Sequence, residues 1–201
     1  DDRQRAVQTK QWNDLARADI VIPAGTRIGL GFDGSLSDDT TALIGSAIVD
    51  GTPHTFEIEV WTRPPDAPRT WRVPRKEIRD RVAEVFDYYE VGLMLCDLAM
   101  WQTEIEYWAE AYGEERVLFF DTNQPTRMWR ACDRFSTAIE QKAYSHDGSS
   151  TLTAHVLAMH RRKVRVRDDD DDGRTKFVFV KGPNRDKIDA GIGGVLALEA
   201  V

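Results

Sequence analysis

The 201 residues carry 41% hydrophobic and 9% aromatic side chains, enough to bury one sizeable core, and a formal net charge of -7. No run of about 18 apolar residues occurs, which excludes a membrane-spanning helix. The acidic balance argues against a protein that coats nucleic acid by bulk attraction, so partners must be sought in local patches. The first residues, Asp1-Asp2-Arg3-Gln4-Arg5, carry neither a signal-like apolar stretch nor an initiator Met, and a soluble piece cut from a longer protein is expected. Cys96 and Cys132, 36 positions apart in apolar segments, are expected as free thiols.

Residues 1–25 read as a linker or short helical extension, with Val7, Trp12, Leu15 and Ala18 at near-helical spacing and a break at Pro23 and Gly25. The main domain then runs over 26–201. Strands are predicted over 26–32, 41–49 and 54–61, the last two joined by Asp50-Gly51, a hairpin signal. This gives an antiparallel three-strand meander. Pro74 opens a helix over 75–89, where Ile78, Val82, Val85, Phe86 and Tyr89 recur every three or four residues.

The continuous apolar run 91–96 reads as a buried parallel strand, followed by a helix over 102–112 and a strand over 116–120. Helices are predicted over 126–143, 152–160 and 186–201, and a hairpin pairs 163–167 with 176–180 around Asp168 to Asp172. That acidic run lacks the alternating acids and closing Glu of a calcium-binding loop and reads as a hairpin tip. The fold class is α/β, a mixed sheet flanked by helices.

Asp33 follows the apolar run Ile28-Gly29-Leu30-Gly31-Phe32, Asp97 follows the run ending at Cys96, and Asp189 sits in the first turn of the last helix. Taken singly, each acid has an ordinary role at a turn or helix start. Taken together, two acids at the ends of adjacent strands and a third on a helix crossing over them form an acidic cluster. Clustered carboxylates repel unless a cation neutralises them, and oxygen ligands suit two Mg²⁺ or Mn²⁺ ions able to cleave a phosphodiester.

These residues resemble a known family. Gly31-Phe32-Asp33-Gly34-Ser35, with Asp39 six residues after Asp33 and then Thr40-Thr41-Ala42-Leu43, is similar to the opening strand of the ribonuclease H-like C-terminal nuclease domain of phage and prophage large terminase subunits. Leu95-Cys96-Asp97 resembles its second acidic strand, although Leu98 stands where many relatives have Pro, and Lys187-Ile188-Asp189-Ala190 resembles the opening of its final helix. Thr153-Ala154-His155-Val156 and Arg161-Arg162 are similar to a segment of the actinobacterial-phage branch. The resemblance spans about 26–201.

The resemblance implies a metal-dependent endonuclease that cuts concatemeric double-stranded viral DNA during genome packaging in the cytoplasm of an infected bacterium. The implied partners are an N-terminal ATPase domain, the portal and the small terminase subunit, with no membrane. No G-x-x-x-x-G-K-[ST] loop occurs here, so the ATPase is expected to lie outside these residues. Asp33, Asp97 and Asp189 are the expected catalytic metal ligands. Asp39 either joins a metal or holds its turn, and Asp186 either caps the last helix or acts as a further ligand. His155 is either an ordinary helix residue or a group near the scissile phosphate. Arg161, Arg162, Arg165, Arg167, Lys181, Arg185 and Lys187 form the expected DNA-binding set. A junction resolvase or recombinase of the same superfamily, or a docking module with little activity of its own, are the alternatives.

Overall fold

The computed structural model describes residues 4–35, 40–97, 100–166 and 173–201. Its centre is a six-stranded sheet in the order β5-β4-β1-β2-β3-β6, comprising β1 (Arg27–Asp33), β2 (Thr41–Val49), β3 (Thr52–Trp61), β4 (Glu90–Cys96), β5 (Val117–Phe119) and β6 (Ser145–His146). The first three strands form the antiparallel meander, β4 lies parallel to β1, β5 parallel to β4, and β6 parallel to β3. Asp50 and Gly51 close the β2–β3 hairpin at φ 50° and 77°, as the Asp-Gly pair requires.

Two cores sandwich this sheet. On one face α2 (Arg75–Tyr88) and α3 (Gln102–Tyr112) bury Ile78, Val82, Val85, Ile105 and Trp108 against Ile28, Leu30 and Phe32 of β1. Phe32 meets the Trp101 and Trp108 rings edge-on at 5.1 Å. On the other face lie α1 (Thr9–Asn13), α4 (Pro125–Glu140), α5 (Ser150–Ala158) and α6 (Asp189–Ala200). A separate two-stranded sheet, β7 (Met159–Lys163) and β8 (Phe177–Lys181), joins this second core through Met159, Phe177, Val178 and Phe179.

The alternation of β1 explains how α6 seats. Ile28, Leu30 and Phe32 point to α2 and α3, so Gly29 and Gly31 point to α6. A Cβ on Gly29 would lie 2.6 Å from the Ala200 carbonyl carbon, and one on Gly31 would run into the Gly193 carbonyl oxygen. The helix backbone therefore lies directly on the strand.

Ala6, Val7, Trp12 and Leu15 are buried in the second core, and Ile22 in the first. Trp12 is fully buried, stacks on His146 with ring centres 3.8 Å apart, and donates its indole N–H to Thr153 Oγ1 at 3.1 Å. His146 donates from Nε2 to the Trp12 carbonyl at 2.9 Å and accepts the Gly148 N–H at Nδ1. The near-helical spacing of this segment yields only the five residues of α1.

Burial holds His146 below the ordinary imidazole range, against the upward pull of its bond to Trp12, and burial does the same to His54, with Asp147 opposing. With folded values depressed, the unfolded chain takes up protons first as pH falls. The stabilisation is complete above the unfolded imidazole pKa of about 6.5 and is lost progressively as pH falls from there through the lower folded values. The urea midpoint is expected to be lower at pH 5.5 than at pH 7.5, with the slope unchanged; equal midpoints would refute this.

Two predicted boundaries need correction. The helix expected over 152–160 stops at Ala158 and passes without a loop into β7 at Met159, so the hairpin strand expected at 163–167 lies earlier, at Met159–Lys163. Arg165 consequently sits beyond the strand rather than on its alternating face. The last helix starts at Asp189, not 186, with Ile188 at its N-cap, which leaves Asp186 exposed ahead of it and not capping. Cys96 and Cys132 are free and buried, and burial pushes the Cys132 thiol up to about 12.

Candidate active site

The three aspartates arrive at one place by strand alternation. Asp33 follows Gly29 and Gly31 at period two, so it lies on the α6 face at the end of β1. In the neighbouring parallel strand Leu95 belongs to the α6-side core, and Asp97 comes two residues later, its N–H bonded to the Phe32 carbonyl at 2.9 Å. Asp189 opens α6, which runs over both strands. Asp33, Asp97 and Asp189 line one cavity of about 350 Å³, together with Thr122, Asn123, Arg162, Lys181 and Ile188. Asp33 and Asp189 are buried.

Thr122, just beyond β5, donates its hydroxyl to Asp97 Oδ2 at 2.9 Å and fixes that carboxylate's rotation. Behind Asp33, Gly34 leaves room for the indole edge of fully buried Trp101. Thr41 Oγ1 accepts the Ser35 N–H at 3.2 Å and donates to the Ser35 carbonyl, tying the start of the turn to β2. Three carboxylates against two cations leave the cavity electronegative, and the donors are all hard oxygens, the set that suits Mg²⁺ or Mn²⁺. Among the described residues no three acid, histidine or cysteine side chains stand close enough to form a ready-made ligand group; the aspartates share a cavity rather than a point.

Arg162, Val180 and Lys181 also line a neighbouring groove of about 760 Å³, with Gln4, His160, Arg161, Lys163, Thr175 and Gly182. The acidic cavity and this basic trough thus share a wall. Within it Arg161 stands 4.4 Å over the Phe177 ring and pairs with Glu140 at 3.3 Å, so it braces the β7–β8 pair. Arg165 and Arg185 are exposed outside the groove walls, Arg185 in a left-handed turn at φ 56°, and Lys187 is half-buried one residue before the α6 N-cap. Arg167, Asp39 and Asp168 to Asp172 lie outside the described residues. His155, buried on α5, accepts the Ala190 N–H at Nδ1.

Sequence reasoning missed Thr122 and Asn123. The signal was there, since Phe119-Phe120-Asp121-Thr122 repeats the pattern of an apolar strand running into polar residues at the sheet's carboxyl edge.

The large terminase of phage HK97 is similar in structure over 98% of this chain and 43% of its own, with a TM-score of 0.72 at 17% identity. The chain has the fold of a phage large-terminase nuclease domain. The large terminase nuclease of the thermophilic phage G20c with bound magnesium shares this ribonuclease H-like fold over 98% of the present chain and 97% of its own, with a TM-score of 0.58 at 11% identity. In sequence, the gene 13 protein of Mycobacterium phage L5 is 28% identical over 190 residues, covering 88% of this chain and 29% of that protein. The chain therefore spans less than a third of the length of the curated relatives it matches. No protein-family model matches it.

Proposed function

We propose that this terminase-type nuclease domain is a metal-dependent endonuclease that cuts double-stranded viral DNA during packaging, acting in the infected host cell beside an ATPase domain, the portal and the small terminase subunit. One observation carries the reading: three aspartates, at the end of β1, just past β4 and at the start of α6, face a single cavity whose wall continues into a basic groove. The G20c structure with bound magnesium supports it.

In this reading Asp33, Asp97 and Asp189 hold two divalent ions. Bound there, such ions supply a water nucleophile at neutral pH and stabilise the charge that develops on the leaving oxygen. Mg²⁺ keeps several of its waters and takes only one or two carboxylates, so acids that share a cavity without closing a cage suit it. Thr122 holds Asp97 in its ligating rotamer, and Arg162 and Lys181 hold the DNA phosphate at the lip between acid and groove. The sequence carries nothing that resembles a base-reading module, so sequence preference is expected to be weak.

Cleavage of supercoiled plasmid in Mg²⁺ or Mn²⁺, abolished by EDTA, tests the proposal against linear DNA and four-way junctions. Activity confined to junctions would favour a resolvase, and none in any metal would favour a docking module. Thr122→Val is expected to raise the half-activating metal concentration about tenfold, the usual cost of losing an outer-shell ligand contact; an unchanged value would remove Thr122 from the site. Replacing both Arg162 and Lys181 by Gln is expected to weaken DNA binding and to flatten the salt dependence by about two phosphate contacts. An unchanged slope in a binding titration would place the DNA elsewhere.

A further inference from the structure

We infer that His155 is a positioning residue, which seats the first turn of α6 through its Nδ1 atom and thereby aims Asp189 into the cavity; the inference rests on the metal-site reading of the three aspartates. Helix starts usually satisfy their exposed N–H groups with a Ser, Thr, Asp or Asn at the N-cap. Here the N-cap is Ile188, whose side chain accepts nothing, and Asp189 faces the cavity. The acceptor comes instead from another helix: the Ala190 N–H donates to His155 Nδ1 at 3.0 Å in a buried setting. Because Nδ1 accepts, the ring proton sits on Nε2.

The contact is reinforced by the backbone. A Cβ on Gly191 would lie 3.1 Å from the His155 carbonyl oxygen and 3.0 Å from Met159 Sδ, so α5 and the first turn of α6 touch main chain to main chain at the same point. α5 is itself capped by Ser149, whose Oγ accepts the Leu152 N–H, and is tied to Trp12 through Thr153. His155 thus transmits the position of a well-anchored helix to the residue after Asp189. A ligand carboxylate depends on such support for its orientation, and losing it costs roughly 10- to 100-fold in metal affinity.

Two variants of similar size separate this role from a direct one on the phosphate. Asn places its side-chain oxygen near the position of Nδ1, whereas Gln places it near that of Nε2. Mn²⁺ binding is followed by loss of the free-ion electron paramagnetic resonance signal, and exchange of the Ala190 amide by hydrogen–deuterium exchange. His155→Asn is expected to keep Mn²⁺ affinity and slow exchange close to the parent values, while His155→Gln weakens Mn²⁺ binding about tenfold and speeds exchange at Ala190. Parent-like behaviour of His155→Gln in both readouts, or an Asn variant as impaired as the Gln variant, would overturn the inference. Failure of the underlying metal reading shows differently: the parent and Asp33→Asn would titrate with Mn²⁺ alike, and exchange at Ala190 would still decide whether Nδ1 seats the turn.

Discussion

Replacing Asp33, Asp97 or Asp189 by Asn is expected to lower metal-dependent DNA cleavage on the order of a thousandfold while the chain stays folded. Asn keeps the size and one oxygen but removes the charge that attracts the cation. Each acid lines the same cavity from a different element, so none can stand in for another. The folded state has little to lose from the change, because three carboxylates facing one cavity repel each other when no cation is bound. A gel assay of plasmid nicking, run beside thermal melts, checks both halves. Full activity in the triple variant would remove the site from catalysis.

Gly31→Ala is expected to destabilise the chain by about 3 kcal/mol and to weaken metal binding at the same time. The added methyl meets the Gly193 carbonyl and lies 2.6 Å from the Ala197 nitrogen, both backbone atoms that no rotamer change can move. Relief requires α6 to lift from β1, and α6 carries Asp189. Gly194→Ala is the control, since its Cβ would meet Leu152 Cδ1 at an ordinary 3.6 Å. That change is expected to be neutral or to stabilise the helix by up to about 1 kcal/mol. Urea midpoints measure both; equal effects at the two glycines would mean that close approach of α6 does not limit the fold.

Much of this architecture was legible because its signals are local. Asp50-Gly51 fixes a hairpin, Pro74 sits at a helix start, and the apolar run before Asp97 has nowhere to go but a buried parallel strand. The three aspartates were legible because strand ends in such sheets converge on one edge. What escaped depends on contacts between distant segments. Gly29 and Gly31 read only as members of an apolar strand, although glycines at period two opposite the small residues Gly193, Ala197 and Ala200 mark a helix lying on a strand. The boundary between α5 and β7 escaped because Leu157-Ala158-Met159-His160 suits either state, and pairing of Met159 with Lys181 decides it. Trp12 looked like part of a connecting segment; its place is set by His146 and Thr153, more than 130 residues away.

His155 illustrates the same limit at the site. Its type and its resemblance to a family segment left it open between an ordinary helix residue and a group near the scissile phosphate, and its contact with the backbone of α6 through Nδ1 arises from the packing of two helices, which no local signal carries.

Joint binding of divalent cations by Asp33, Asp97 and Asp189 is read out by an anomalous difference map from crystals soaked in Mn²⁺. Two peaks are expected inside the cavity, each within ligand distance of at least one of these carboxylates. A map with Mn²⁺ elsewhere on the molecule and none between the three aspartates would contradict it.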